Sequence, residues 1–174
     1  DNLANLHTLR LAEGRGDEDE SLFDFKNLSP LKQLRELSIS DIYLLNSINV
    51  EFISELTTIE ELCLDSSWAD EITEKDINLN FIAELKNLKI IRTDSSFLDF
   101  PYTKLEGLDN LETVDFGYGF PDSETIKILS KLKSLKEIIS IDDYFWEECL
   151  NPYLSFKELL MKNVTVTINE TKYS

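Results

Sequence analysis

Imidazole and thiol groups are scarce in this chain and acids abundant. One histidine, His7, and two cysteines, Cys63 and Cys149, accompany 34 Asp and Glu residues. A catalytic triad or metal cluster would have to assemble around that single imidazole near the chain start. No phosphate-cradling glycine loop, paired-cysteine zinc spacing or nucleophile elbow occurs. Cys63 reads as a tolerated small side chain rather than a nucleophile. The most loop-like stretch, Gly14 to Ser21 ("GRGDEDES"), contains Arg15-Gly16-Asp17, a tripeptide match too short to carry weight. Its acids Asp17, Glu18, Asp19 and Glu20 lack calcium-loop spacing and read as solvated charge. These residues argue against an enzyme, a resident metal or a cofactor.

Binding remains, and charge bounds it. Lys and Arg number 17, so the formal net charge is −17 across 174 residues. Nucleic-acid phosphate would be repelled, and a basic protein is the electrostatically favoured partner. Acidity also keeps an exposed repeat array soluble, so it nominates no site by itself. No apolar run approaches the roughly 20 residues that cross a bilayer, so a membrane-spanning partner role is not expected. Two cysteines make no disulfide framework, which slightly favours a reducing, cytoplasmic compartment. The tripeptides beginning at Asn27, Asn163 and Asn169 match glycosylation acceptors at about the frequency that chance allows.

The elements that would position a binding surface are written as a repeat. Residues 48–68 ("INVEFISELTTIEELCLDSSW") and 77–97 ("INLNFIAELKNLKIIRTDSSF") match at Ile48 and Ile77, Phe52-Ile53 and Phe81-Ile82, Glu55-Leu56 and Glu84-Leu85. They match again at Asp65-Ser-Ser67 and Asp94-Ser-Ser96. The spacing apolar-x-x-apolar-x-x-apolar-x-apolar recurs at Leu3-Leu6-Leu9-Leu11, Leu31-Leu34-Leu37-Ile39 and Leu56-Ile59-Leu62-Leu64. Further copies run Leu85-Leu88-Ile91-Thr93, Leu105-Leu108-Leu111-Val114-Phe116 and Leu132-Leu135-Ile138-Ser140. In the last copy Ile139 and Ile141 compete with Ile138 and Ser140 for the inward positions. Three-residue steps suit a turn approaching a strand, and the two-residue step is the strand itself. No copy can bury its apolar side alone, so neighbours must stack with their strands parallel.

The pattern resembles the leucine-rich repeat family over nearly the whole chain. That resemblance implies an α/β solenoid, a curved horseshoe arc with parallel strands on the concave face and short helices or turns on the convex face. The expected organisation is one domain over residues 1–174, about six irregular repeats of 23–29 residues, closed by a capping strand near 164–168 ("VTVTI"). No comparable cap precedes Leu3, so a cap or further repeats are expected upstream. Asp122-Ser-Glu-Thr125 after Pro121 predicts a helix start, and "NVEFISEL" and "NLNFIAEL" predict helical returns capped by Asn49 and Asn78. The family's usual Asn after the strand is replaced by Gly14, Ile42, Ser67, Ser96, Gly119 and Asp143. Looser turns are therefore expected at Gly14, Ile42 and Gly119, with a regular side-chain ladder in doubt.

Outward strand residues should stack into columns about 4.8 Å apart. The columns place Glu36 beside Glu61 and Asp65 beside Asp94, like charges that a cationic partner could relieve. The candidate partner-binding residues are Glu36, Glu61, Asp65, Arg92, Asp94 and Asp115 on this face, with Tyr118 and Trp146 on an aromatic rim. Trp68 and Phe97, at equivalent repeat positions, read as structural. The expected function is protein–protein interaction, as the recognition part of a longer polypeptide. Two alternatives stay open: an acidic inhibitor of a basic enzyme or toxin, and a substrate-recognition array within a larger ligase or effector enzyme. Oligomeric state is not legible.

Overall fold

The structure is a computed structural model describing residues 3–12, 24–40, 50–64, 79–93, 100–117, 119, 121–141, 156–168 and 170–173. Eight strands form one sheet in sequence order. They are β1 (Thr8–Leu11), β2 (Glu36–Ile39), β3 (Glu61–Leu64), β4 (Ile90–Thr93), β5 (Thr113–Asp115), β6 (Glu137–Ser140), β7 (Thr165–Ile168) and β8 (Thr171–Tyr173). Each of β1 to β6 pairs in parallel with its successor, 23 to 29 residues later. A parallel neighbour requires a full return crossover, and here each repeat supplies one. The fold is an α/β leucine-rich repeat solenoid.

Apolar side chains stack as rungs along the array. The strand rungs Leu37, Leu62, Ile91, Val114, Ile138 and Val166 are at most 1% exposed. The returns carry a second column of rungs: Phe25 and Leu28, Val50 and Ile53, Leu79 and Ile82, Ile126 and Leu129, Phe156 and Leu159, all buried. These pairs are three residues apart, and a 3-10 turn eclipses residues at that spacing on one side. The observed returns include 3-10 turns at Phe25–Leu28, Val50–Glu55, Asn80–Glu84 and Tyr102–Leu105. "NVEFISEL" and "NLNFIAEL" thus return as 3-10 turns, and their proposed caps Asn49 and Asn78 lie outside the described residues.

Among the described residues two α-helices also serve as returns, α1 (Ser123–Lys131) and α2 (Lys157–Leu160). In α1 the buried set is Thr125, Ile126, Ile128 and Leu129, the wider stripe that an α-helix presents. Asp122 caps it as expected, accepting the Thr125 N–H at 2.7 Å. That bond holds the Asp122 carboxyl below the ordinary carboxylate range.

Three local findings refine the sequence reading. In β6, Ile138 and Ser140 point inward, 0% and 2% exposed, while Ile139 and Ile141 face outward. The inward Ser140 hydroxyl donates to the Gly119 carbonyl at 2.8 Å, and Thr93 in the equivalent slot donates to the Asp115 carbonyl at 3.3 Å, so neither buried hydroxyl is orphaned. The Gly119 turn is closed rather than loose, with its N–H bonded to the Phe116 carbonyl at 2.8 Å. A Cβ at Gly119 would sit 3.1 Å from that oxygen. Gly14 and Ile42 lie outside the described residues. Finally, β7 buries Val164, Val166 and Ile168 as expected but is not the edge, because the chain turns at Glu170 (φ 66°) and lays β8 antiparallel beside it.

Candidate functional site

Strand side chains alternate inward and outward, so stacking in register sorts the outward residues into columns on an open face. Thr8, Glu36, Glu61, Ile90, Thr113, Glu137 and Thr165 are successive Cα partners. So are Arg10, Ser38, Cys63, Arg92, Asp115, Ile139 and Thr167. Glu36, Glu61, Arg92 and Asp115 therefore share this face. Asp65, Asp94, Tyr118 and Trp146 lie outside the described residues, as do Tyr43, Trp68, Phe97, Phe120, Tyr144 and Phe145.

Charges on this face are largely engaged with neighbouring strands. Glu36 turns toward β1 and accepts the Thr8 hydroxyl at 3.0 Å. Glu61 turns the other way and pairs with the Arg92 guanidinium, whose Nε lies 3.9 Å from Asp115 Oδ2. Asp115 also accepts the Gly117 N–H at 2.9 Å, and Glu137 accepts the Thr167 hydroxyl at 3.3 Å. The Glu36–Glu61 repulsion is thus eased from within the chain, by side chains drawn to opposite neighbours. Around the charges sit apolar groups: partly exposed Cys63, Ile90 and Ile139, and Ile141 at 46% exposure. The sequence left Ile139 and Ile141 competing for the inward positions, and neither was among the candidate contact residues. Ser140 is buried between them, and alternation then turns both isoleucines outward.

A second ordered array, at the edge where the strands start, escaped the sequence reading. His7, Arg35, Glu60, Lys89, Glu112 and Lys136 each precede a strand. The carbonyls of His7, Arg35, Glu60, Lys89 and Glu112 each accept two N–H groups from the next coil, at 2.7 to 3.0 Å. From Arg35 onward the side chains alternate in sign, with pairs Arg35–Glu60 at 2.7 Å, Lys89–Glu60 at 2.6 Å and Lys136–Glu112 at 2.7 Å. The Lys89 hydrogen bond holds the Glu60 carboxyl below the ordinary range. Such exposed pairs contribute little stability singly, but their alternation favours one stacking order.

Beside them runs a side-chain ladder. Thr58 Oγ1 donates to the Leu34 carbonyl at 2.6 Å, Asn87 Nδ2 to the Thr57 carbonyl at 2.7 Å, and Asn110 Nδ2 to the Lys86 carbonyl at 2.8 Å. The ladder doubted after the strands therefore exists before them. Its signal was the polar residue recurring one position before an apolar anchor, at Thr58 between Leu56 and Ile59, Asn87 between Leu85 and Leu88, and Asn110 between Leu108 and Leu111. A pocket of about 330 Å³ at this edge is lined by Lys32, Gln33, Arg35, Thr58, Glu60 and Asn87. Several of its polar groups are already bonded to one another or to backbone, which reads as structure.

The excess acid lies elsewhere in the sequence. Segments 13–23, 41–49, 65–78, 94–99 and 142–155, which follow strands, hold 17 acidic and two basic residues. The rest of the chain is nearly balanced, with 17 acidic against 15 basic. Among the described residues no group of three or more His, Cys, Asp or Glu could hold a metal ion, and no helix is long and apolar enough to cross a membrane.

No protein-family model and no curated protein matches this chain. Among solved structures it is similar to internalin C2 of Listeria monocytogenes, with 20% identity and a TM-score of 0.44. That alignment covers 95% of this chain and 71% of the other. The class that the strand order and the rung register define is the leucine-rich repeat solenoid.

Proposed function

We propose that this chain is a protein-interaction module, the recognition part of a longer polypeptide, binding its partner through the open sheet face and the adjoining aromatic rim. The observation that carries the reading is the ordered face: Glu61, Arg92 and Asp115 are held in one network across three strands, beside partly exposed Ile139 and Ile141. Side chains held this way lose little entropy on binding, and an apolar patch flanked by fixed charges is a contact surface that selects geometry as well as sign. The partner presents an apolar group to the isoleucines and basic groups to Glu36, Glu61 and Asp115. Asp65, Asp94, Tyr118 and Trp146 belong to the same proposed surface.

The net charge of −17 favours a second reading, an inhibitor of a basic enzyme or toxin. Affinity capture with immobilised chain, followed by titration of the captured protein, tests both. Reversing Glu61 and Asp65 to lysine should weaken binding roughly tenfold or more, and unchanged affinity discards the face. Inhibition of a basic enzyme that fades steeply with salt would favour the second reading.

A further inference from the structure

The edge where the strands start differs in charge from the rest of the chain. Five residues before the rungs Leu37, Leu62, Ile91, Val114 and Ile138 stand Lys32, Thr57, Lys86, Asp109 and Lys133. Two residues before the same rungs stand Arg35, Glu60, Lys89, Glu112 and Lys136. In the coils of β5 and β6 these charges balance, since Lys133 pairs with Asp109 and Lys136 with Glu112. In the coils of β2 to β4 they do not. Arg35 and Lys89 share the single carboxylate of Glu60, and among the described residues Lys32 and Lys86 make no ion pair.

All four cations are exposed, and the neighbouring acids leave them a surplus. Glu36 and Glu61 turn to the open face, toward Thr8 and Arg92. Glu55 and Glu84, exposed at the start of the same turns, pair with none of the four. Cations thus outnumber carboxylates here four to three, counting Glu55, Glu60 and Glu84, whereas the whole chain holds 34 acids against 17 bases. The wall behind these cations is fixed. Thr58 Oγ1 donates to the Lys32 and Leu34 carbonyls at 3.3 and 2.6 Å, and Asn87 Nδ2 to the Thr57 carbonyl at 2.7 Å. The side chains of Lys32 and Gln33, which line the pocket of about 330 Å³ at this edge, make no hydrogen bond among the described residues.

We propose that this stretch of the edge is a docking surface for a short acidic segment of a partner protein, whose carboxylates reach Lys32 and Lys86 and lie along Arg35 and Lys89. Stacked coils are about 4.8 Å apart, so Lys32 and Lys86, two coils apart, hold the anchored carboxylates about 10 Å from each other, the length of three residues of extended chain. Gln33, in the pocket with Lys32 and Arg35, adds an amide donor. Nucleic acid fits less well, because the net charge of −17 repels a long anion along its whole length, whereas a short segment meets the local surplus within a screening length. The site goes beyond the open-face reading, being a different surface of opposite sign.

Fluorescence anisotropy of a rhodamine-labelled octaglutamate peptide, titrated with the 174-residue chain at about 0.1 M salt, where charges beyond about 10 Å are screened, tests the site. The peptide should bind, and Lys32→Glu combined with Lys86→Glu should lower its affinity roughly tenfold or more. Lys127→Glu combined with Lys157→Glu, an equal change of net charge at exposed positions on α1 and α2, should lower it by less than about threefold. Should the reversal unfold the chain, Lys32→Gln combined with Lys86→Gln reads the same loss without adding acids. Absence of binding by the parent chain, equal loss in the two reversed variants, or tighter binding of an oligothymidylate of eight phosphates than of the peptide overturns the proposal. Glu61 and Ile139 are unchanged in every variant, so failure here leaves the open-face reading standing.

Discussion

Two adjacent isoleucines in β6 provide the sharpest test of the rung register. Ile138 is 0% exposed and lies in line with Val114 and Val166, themselves 0% and 1% exposed. Ile138→Ala removes three carbons from a packed interior and leaves a cavity, which costs about 2–5 kcal/mol. For a chain of this size each kcal/mol lowers Tm by about 2–4 °C, so a fall of about 4–20 °C is expected. Ile139 lies on the open face between Asp115 and Thr167. Ile139→Ala opens no cavity, and its cost should stay near 1 kcal/mol or below. Urea unfolding of both variants measures the difference, and an unchanged m-value shows that the coils still unfold together. Binding should reverse the order, with Ile139→Ala weakening partner capture and Ile138→Ala sparing it in the folded fraction. Equal destabilisation by the two substitutions would refute the register on which the open face depends.

Three more outcomes follow from the geometry. Asn87→Ala removes the donor to the Thr57 carbonyl and should cost about 0.5–1.5 kcal/mol in thermal unfolding, whereas the neighbouring exposed Lys86→Ala should cost less than about 0.5 kcal/mol. Asp122→Ala should lose about 1 kcal/mol of cap at neutral pH, read by denaturant midpoint. Because the folded-state pKa of Asp122 is lowered, its contribution is complete above the ordinary carboxylate pKa of about 4 and lost as pH falls through the lowered value; Asp122→Asn should flatten that part of the acid slope. Burial pushes the Tyr102 phenol up to about 12, between the rings of Phe100 and Phe116 at 4.7 and 4.8 Å. Its contribution is complete below the unfolded-state pKa of about 10 and lost as pH rises toward 12, about 2–3 kcal/mol in all, and Tyr102→Phe should remove that alkaline loss.

Legibility tracked how local each cause was. The rungs Leu37, Leu62, Ile91 and Val114 could be read because stacking demands apolar groups at one spacing, whatever lies around them. The outward columns followed from the same alternation. The ladder is instructive: after the strands Gly119 and Ser96 replace the usual amide, while Thr58, Asn87 and Asn110 bond one coil back on the other edge. Those bonds join residues 24 to 30 apart, and only the stacked register shows which carbonyl each side chain can reach. The pairing of Arg92 with Glu61 and Asp115 has the same character, as it needs three coils superposed before the charges meet.

By itself, the order of residues determined a parallel stack of coils, its rungs and the faces its strands turn inward and outward, because periodicity in one dimension is a local property of the chain. The tertiary structure alone decided that Ser140 rather than Ile141 faces the core, that the returns are mostly 3-10 turns, and that the chain folds back beyond β7. It also decided which charges neutralise one another. These choices depend on distances between coils, where a hydroxyl finds a carbonyl or a guanidinium finds two carboxylates, and the spacing of residues along the chain carries no measure of such distances.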